Sequence, residues 1–282
     1  MKLLEGKPIA ETIKEEIKLK VQTLKLKPVL ASIMVGDNAG AASYVKSQTK
    51  AAEQLGIQYQ LHQLPQTTTE KELTGFIGKL NTDPKVNGII IQMPLPQEID
   101  YKKISQFIQP DKDAEGMHPW NIGKILFGKA QLVPCTAAAV MELVNNTGVD
   151  LYGKEVVVVG HSEIVGKPLS LLLLDKFATV TVCHIGTSKA GKLEEHVRKA
   201  EVLIVAVGKA GLIKGEWVKE GAIVIDVGIN RVGDKIVGDV EFEEASKRAS
   251  WITPVPGGVG PLTVTMLLRN VVEAARLQQE RA

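Results

Sequence analysis

The sequence predicts an α/β protein of two domains, built on parallel sheets covered by helices. Short runs rich in Val and Ile alternate with amphipathic stretches along most of the chain, the pattern of repeated strand–helix–strand units. Aromatic residues make up only 4% of the chain and hydrophobic residues 44%, which implies an aliphatic core of the kind found in sheets buried on both faces. The 282 residues also exceed a single typical domain of about 150 residues.

The elements follow in order. A first helix is predicted over residues 9–26, where Ile9, Ile13, Ile17 and Val21 recur every four positions. PVLASIMV (28–35) reads as a buried strand closed by the turn residues Gly36, Asp37 and Asn38. A second helix spans 42–55 and stops at Gly56. A strand over 58–64 precedes a helix over 69–81, with Thr69 placed to cap it. NGIIIQM (87–93) is a strand ended by Pro94, Leu95 and Pro96. Residues 101–135, rich in Pro, Gly and Asp, are predicted to be irregular, and helix resumes over 136–147. A second series then begins with the strand VVVVG (156–160) and a helix over 167–177 that carries Pro168 in its first turn. TVTVCH (179–184), VLIVAVG (202–208) and AIVIDVG (222–228) complete one doubly wound unit. The last helix, 262–276, follows a glycine-rich loop.

Composition excludes several classes of function. Lys and Arg total 34 against 32 Asp and Glu, so the formal charge is +2, without the basic excess of a nucleic-acid binder. No apolar run is long enough to span a bilayer, and the first twenty residues lack the apolar region of a signal peptide. The expectation is a cytoplasmic protein with no membrane partner. Two cysteines, Cys135 and Cys183, form neither a disulfide framework nor a four-thiolate zinc site. The histidines show no metal-binding pairing, so no metal is expected.

The turn after the 156–160 strand reads Gly160, His161, Ser162, Glu163, Ile164, Val165, Gly166. A strand, a glycine turn and a helix N-terminus together form a cradle for pyrophosphate, because backbone N–H groups and the helix dipole favour an anion there. The motif departs from G-x-G-x-x-G, and a plain β–α turn is the competing reading. Gly208 and Gly228 end two further strands, where open α/β sheets bind ligands. The second strand ends in Cys183, His184, Ile185 and Gly186, with no carboxylate for a ribose hydroxyl and no Arg for a 2′-phosphate. That pattern is compatible with NAD and with NADP.

ITPVPGGVGPLTVTMLLRN (252–270) resembles the methylenetetrahydrofolate dehydrogenase/methenyltetrahydrofolate cyclohydrolase family. SYVKSQTKAAEQLGI (43–57), NGIIIQMPLPQ (87–97), PDKDAEGMHPWNIGK (110–124), GHSEIVGKPLSLLLL (160–174) and DVGIN (226–230) extend the match along nearly the whole chain in the family's order. The resemblance implies an N-terminal α/β folate-binding catalytic domain (1–138 plus 263–282) and a Rossmann-like dinucleotide domain (139–262), with a cleft between them. It implies oxidation of 5,10-methylenetetrahydrofolate with a nicotinamide cofactor, then hydrolysis of the methenyl product to 10-formyltetrahydrofolate. It also implies a homodimer.

Carried over residue by residue, Tyr44 matches the tyrosine of the family's Tyr-x-x-x-Lys motif, which positions the pterin. The lysine, the acid/base of the hydrolytic step, is here Gln48. A buried lysine can be tuned to exchange protons near neutral pH, whereas a carboxamide cannot titrate there. Hydride transfer asks mainly for orientation. The expectation is therefore a retained dehydrogenase and a weak or absent cyclohydrolase. Lys46 and Lys50 point to other sides of the helix. Gln92 matches the glutamine beside that lysine. Glu115, in Asp113-Ala114-Glu115-Gly116, stands where the family has the pterin-binding aspartate, and Asp113 has a loop turn as its alternative role. Pro256, Gly257 and Gly258 match the loop beside folate and nicotinamide. Gly160, His161, Ser162, Val165, Gly208, Ile229 and Gly258 match cofactor contacts. His161 and Ile185 occupy the usual 2′-phosphate positions, with Lys189 as a substitute; NADP is the family default and NAD its close alternative. Cys135 reads as a buried thiol. Two other readings remain: a fully bifunctional enzyme with a substitute acid/base, and a non-catalytic nucleotide-binding subunit, against which the intact glycine loops argue.

Overall fold

The computed structural model describes residues 1–281, apart from the side chains of Ala39 and Ser43, and the chain divides into two units. Strand β1 (Lys2–Leu3) opens the chain. Helix α1 (Gly6–Thr23) buries Ile13, Ile17 and Val21, as their four-residue spacing predicts. Strand β2 (Val29–Val35) is buried at every position, Ser32 included. Helix α2 (Ala39–Gln54) starts ahead of its predicted first residue because the Asn38 side chain caps it, accepting from the Ala41 N–H. Its buried stripe runs through Ala41, Val45, Gln48, Ala52 and on to Leu55. Strand β3 (Gln58–Leu64) follows. Helix α3 (Glu70–Thr82) begins with a capping box: the Thr69 N–H donates to Glu72 Oε2 at 2.8 Å, and the Glu72 N–H donates to Thr69 Oγ1 at 3.3 Å.

Strand β4 (Gly88–Ile91) completes a parallel three-stranded sheet of order β3-β2-β4. The segment 112–114 runs along β4 in the same direction. The Ile89 N–H donates to the Lys112 carbonyl at 2.7 Å and the Ala114 N–H donates to the Ile89 carbonyl at 3.3 Å. Glu115 therefore follows toward the strand end that carries Gln92. Buried Lys112 ties the same segment to the end of α3, donating to the carbonyls of Leu80 at 3.0 Å and Asp83 at 2.7 Å.

Residues 101–135 are not irregular throughout. Helix α4 (Tyr101–Ile104) is capped by Asp100, whose side chain accepts from the Lys102 N–H at 2.9 Å. Helix α5 (Pro119–Leu126) is capped by His118, whose Nδ1 accepts from the Trp120 N–H at 3.0 Å, with Pro119 as its first residue. Both are too short to display a helical period, and histidine is not among the usual capping residues.

The other unit begins in helix α6 (Cys135–Asn146). Strand β5 (Glu155–Val159), helix α7 (Gly166–Leu174), strand β6 (Thr179–Cys183), the short helices α8 (Ile185–Lys189) and α9 (Leu193–Lys199) and strand β7 (Val202–Val205) follow. After strand β8 (Ile223–Asp226) come a hairpin of β9 (Asn230–Val232) and β10 (Lys235–Val237), helix α10 (Phe242–Arg248), strand β11 (Trp251–Ile252) and helix α11 (Gly260–Gln279). The parallel six-stranded sheet has the order β1-β11-β8-β7-β5-β6. From β5 the chain crosses to β6 on one side and then to β7 on the other, which makes the ends of β5 and β7 the topological switch point. Val157, Val159, Leu203, Val205 and Val224 pack against Val197 of α9 and Ala245 of α10 in this unit's core.

Met1–Glu11 groups with this second unit, together with Thr136–Thr263, although the sequence places the N-terminus in the folate domain. Pairing of β1 with β11 is the cause, and a two-residue edge strand leaves no periodic signal. From Val264 onward α11 belongs with Thr12–Cys135. There the buried Asn270 Nδ2 donates to the carbonyls of Ala114 at 3.0 Å and Val133 at 2.9 Å, holding the segment that carries Glu115. Among the described residues, no helix is long and apolar enough to cross a membrane. Asn270→Ala leaves both carbonyls without their donor and should cost about 1–3 kcal/mol of stability, measured by urea unfolding.

Candidate active site

Gln48 is the one polar member of the buried stripe of α2, with 6% of its surface exposed. Its Oε1 accepts from the Tyr59 hydroxyl at 2.8 Å and from Gln92 Nε2 at 2.8 Å. Gln92 Nε2 also donates to Ser32 Oγ at 3.0 Å. Four elements thus converge: α2 supplies Gln48, β3 Tyr59, β2 Ser32 and the end of β4 Gln92. Burial pushes the Tyr59 phenol up, so it remains a hydroxyl donor. No member of this cluster exchanges a proton near neutral pH. Tyr44, one turn before Gln48, is 61% exposed, and Lys46 and Lys50 are exposed as their helical angles predict.

In the turn that follows the 112–114 segment, Glu115 Oε2 accepts from the Tyr101 hydroxyl at 2.8 Å. Burial pushes the Glu115 carboxyl up to about 7, with the Tyr101 hydrogen bond pulling down and the Asp113 charge adding to the rise. Burial and the Glu115 charge likewise push the Tyr101 phenol up. The same two causes push the Cys135 thiol well up, which removes it as a nucleophile; its Sγ lies 3.6 Å from the Ala114 carbonyl oxygen. Asp113 serves the loop: its Oδ2 accepts from the His118 N–H at 2.7 Å and from Asn121 Nδ2 at 2.9 Å.

At the switch point of the six-stranded sheet a cavity of about 350 Å³ is lined by Gly160, His161, Ser162, His184, Ser188 and Lys209, among others. A Cβ on Gly160 would lie 2.3 Å from the Ala206 carbonyl oxygen, and its φ of 128° favours glycine, so the turn closes tightly over the end of β7. Ser162 Oγ accepts from the N–H of Val165, the residue that leads into α7, at 3.1 Å. The rings of His161 and His184 are 5.2 Å apart. His184 Nδ1 accepts from the Gly186 N–H at 3.1 Å and so caps α8. Ile185 also lines the cavity, whereas Lys189, expected as a substitute cation, does not; the lysine among the lining residues is Lys209. Gly208 sits between the lining residues Val207 and Lys209, and Ile229, after β8, is exposed. A glycine turn, a helix N-terminus and this cavity fit a dinucleotide.

The 254–258 loop packs closely, but against the protein's own backbone. The Gly6 N–H donates to the Gly257 carbonyl at 2.9 Å, and a Cβ on Gly258 would lie 2.8 Å from the Pro254 carbonyl oxygen. Tyr59, Tyr101, Ser188 and Lys209 were not singled out from the sequence. Ser32 was a signal in plain view, a hydroxyl inside an otherwise apolar strand.

Fold and cradle together define a two-domain α/β dehydrogenase with a Rossmann-like NAD(P)-binding domain. Residues 4–115 match the catalytic domain, and residues 134–279 the NAD(P)-binding domain, described for tetrahydrofolate dehydrogenase/cyclohydrolase. The chain belongs to the tetrahydrofolate dehydrogenase/cyclohydrolase family. It is 51% identical to the bifunctional protein FolD 2 of Geobacter metallireducens over 97% of this chain and 96% of that one. The crystal structure of the bifunctional FolD enzyme of Campylobacter jejuni superimposes with a TM-score of 0.94 at 47% identity, covering 98% of this chain and 99% of that one. The Trypanosoma brucei enzyme, solved with NADP and an inhibitor, gives 0.92 at 38% identity, covering 99% and 98%.

The carboxyl of Glu115 makes the stability of the fold depend on pH. Its folded value of about 7 lies above its ordinary value of 4.5, so the folded chain binds this proton more tightly than the unfolded chain does. The associated stability is complete below pH 4.5 and is lost as pH rises toward about 7. Urea unfolding across that window should show the wild type losing stability relative to Glu115→Gln; parallel curves would refute the assignment.

Proposed function

We propose that this protein oxidises 5,10-methylenetetrahydrofolate to the 5,10-methenyl form with NADP, and that its cyclohydrolase step is weak or absent. The observation that carries the second half is the Gln48 carboxamide, buried and hydrogen-bonded among groups that hold their protons. Tyr44 presents an exposed ring on which the pterin stacks. Gln48 and Gln92 orient the substrate, and the Glu115 carboxylate accepts from the pterin N–H groups. Pro256, Gly257 and Gly258 border the substrate. Gly160, His161, Ser162, Val165, Gly208, Ile229 and Gly258 hold the dinucleotide, which when bound accepts the hydride.

Loss of hydride from the bridging carbon leaves a cation shared with the two flanking nitrogens. The residues around it need to hold the pterin still and keep its environment polar; none has to move a proton. Hydrolysis differs. Water must lose a proton as it adds to that carbon, and a nitrogen must gain one as its bond breaks. Gln48 can donate and accept hydrogen bonds but cannot relay either proton. The second reading, full bifunctionality, is supported by the naming of close relatives as bifunctional. Under it the neutral-range Glu115 carboxyl is the substitute acid/base.

An assay of purified enzyme separates the readings. Methylenetetrahydrofolate oxidation should proceed while methenyltetrahydrofolate decays at the buffer rate, and Gln48→Lys should raise hydrolysis by about a hundredfold or more. Fast hydrolysis by the wild type would select the bifunctional reading. For the cofactor, NADP is supported by family membership and by the NADP-bound relative. His161, His184, Ser188 and Lys209 offer a 2′-phosphate no bidentate guanidinium. The kcat/KM values for NADP and NAD should consequently lie within about tenfold of each other, the worth of one charge-assisted bond. The family resemblance also supports a homodimer.

A further inference from the structure

Asp239 has no exposed surface, yet four donors from two surface loops converge on its carboxylate. Oδ2 accepts from the backbone N–H groups of Val207 at 2.8 Å and Gly208 at 2.9 Å. Oδ1 accepts from the Lys209 N–H at 2.7 Å and from Asn230 Nδ2 at 2.8 Å. The first loop leaves β7 and the second leaves β8, and Val207 and Lys209 line the cavity at the switch point. A second buried carboxylate holds Asp239 in place: Asp226 accepts from the Asp239 N–H at 3.0 Å, the Val240 N–H at 2.8 Å and the Gly228 N–H at 2.9 Å. The fit is tight, since a Cβ on Gly228 would lie 2.2 Å from Asp239 Cγ.

Successive backbone N–H groups converging on one anion form the kind of concavity with which loops bind phosphate. Here the anion belongs to the chain. The loop's N–H groups are already spent on Asp239, so residues 207–209 are ordered before a ligand arrives and little entropy is lost on binding. We propose that Asp239 is a positioning residue for the dinucleotide, holding the β7 and β8 loops in register through four N–H groups. This rests on the reading of the switch-point cavity as the dinucleotide site.

Asp239→Asn tests it. A carboxamide has a single acceptor oxygen, so two of the four donors face an NH₂ group. Titration calorimetry of the full chain with NADP should show the dissociation constant rising about tenfold or more, while the KM for methylenetetrahydrofolate stays within about twofold. A residue that served only stability would lower the active fraction and leave both constants alone. An unchanged NADP constant, or an equal rise for both substrates, would overturn the proposal. Should Asp239→Asn fail to fold, Asn230→Ala removes one donor and keeps the carboxylate. It should raise the NADP constant about threefold with the folate KM unchanged, and no rise would overturn the proposal. If the wild type binds neither NADP nor NAD, the reading of the cavity fails before any variant is made, and this inference fails with it.

Discussion

A carboxamide buried in an apolar helix stripe has to find its hydrogen-bond partners inside the protein, and the satisfaction of Gln48 organises the folate-side unit. Helix α2 can seal the sheet only because β3 and β4 offer it Tyr59 and Gln92, and β2 offers Gln92 a hydroxyl at Ser32. Polar groups that would each be costly alone become a rigid set when each supplies what the other lacks. The rigidity suits a surface that orients a flat ring. It equally removes any group whose proton is loosely held, so the chemistry open to this cluster is set by the same bonds that make it stable.

The dinucleotide unit solves a different problem with backbone. Its central strands β5 and β7 are nearly continuous Val, Leu and Ile, which leaves little side-chain chemistry along their length. What recognition there is sits where the strands stop. At those ends the chain uses glycines to bring backbone against backbone, and two buried carboxylates to gather the N–H groups that the departing loops leave without ladder partners. Asp226 and Asp239 therefore do for these loops what a further strand would have done for a sheet.

Much of this was legible in the sequence, for identifiable reasons. The stripe of α1 and the Thr69 capping box are local patterns in which spacing alone carries the information. The central strands announce themselves by composition. The pairing of Gln48 with Gln92 was readable only through the family motifs, since the two lie far apart in the chain. Tyr101 was lost because helix α4 is a single turn inside a segment rich in loop formers. The strands β1 and β11 have two residues each, below any period. Asp239 looks like an ordinary turn residue in Gly238-Asp239-Val240, and only the meeting of three loops reveals it as buried.

The capping bond of His184 carries a consequence for the ring itself. A neutral imidazole owns one lone pair and one hydrogen, and the Gly186 amide has claimed the lone pair on Nδ1. The tautomer is thereby chosen, with the hydrogen on Nε2. Whatever meets that nitrogen meets a donor, which needs an oxygen acceptor opposite it. Helix α8 thus fixes which of the two ring nitrogens is left as a donor.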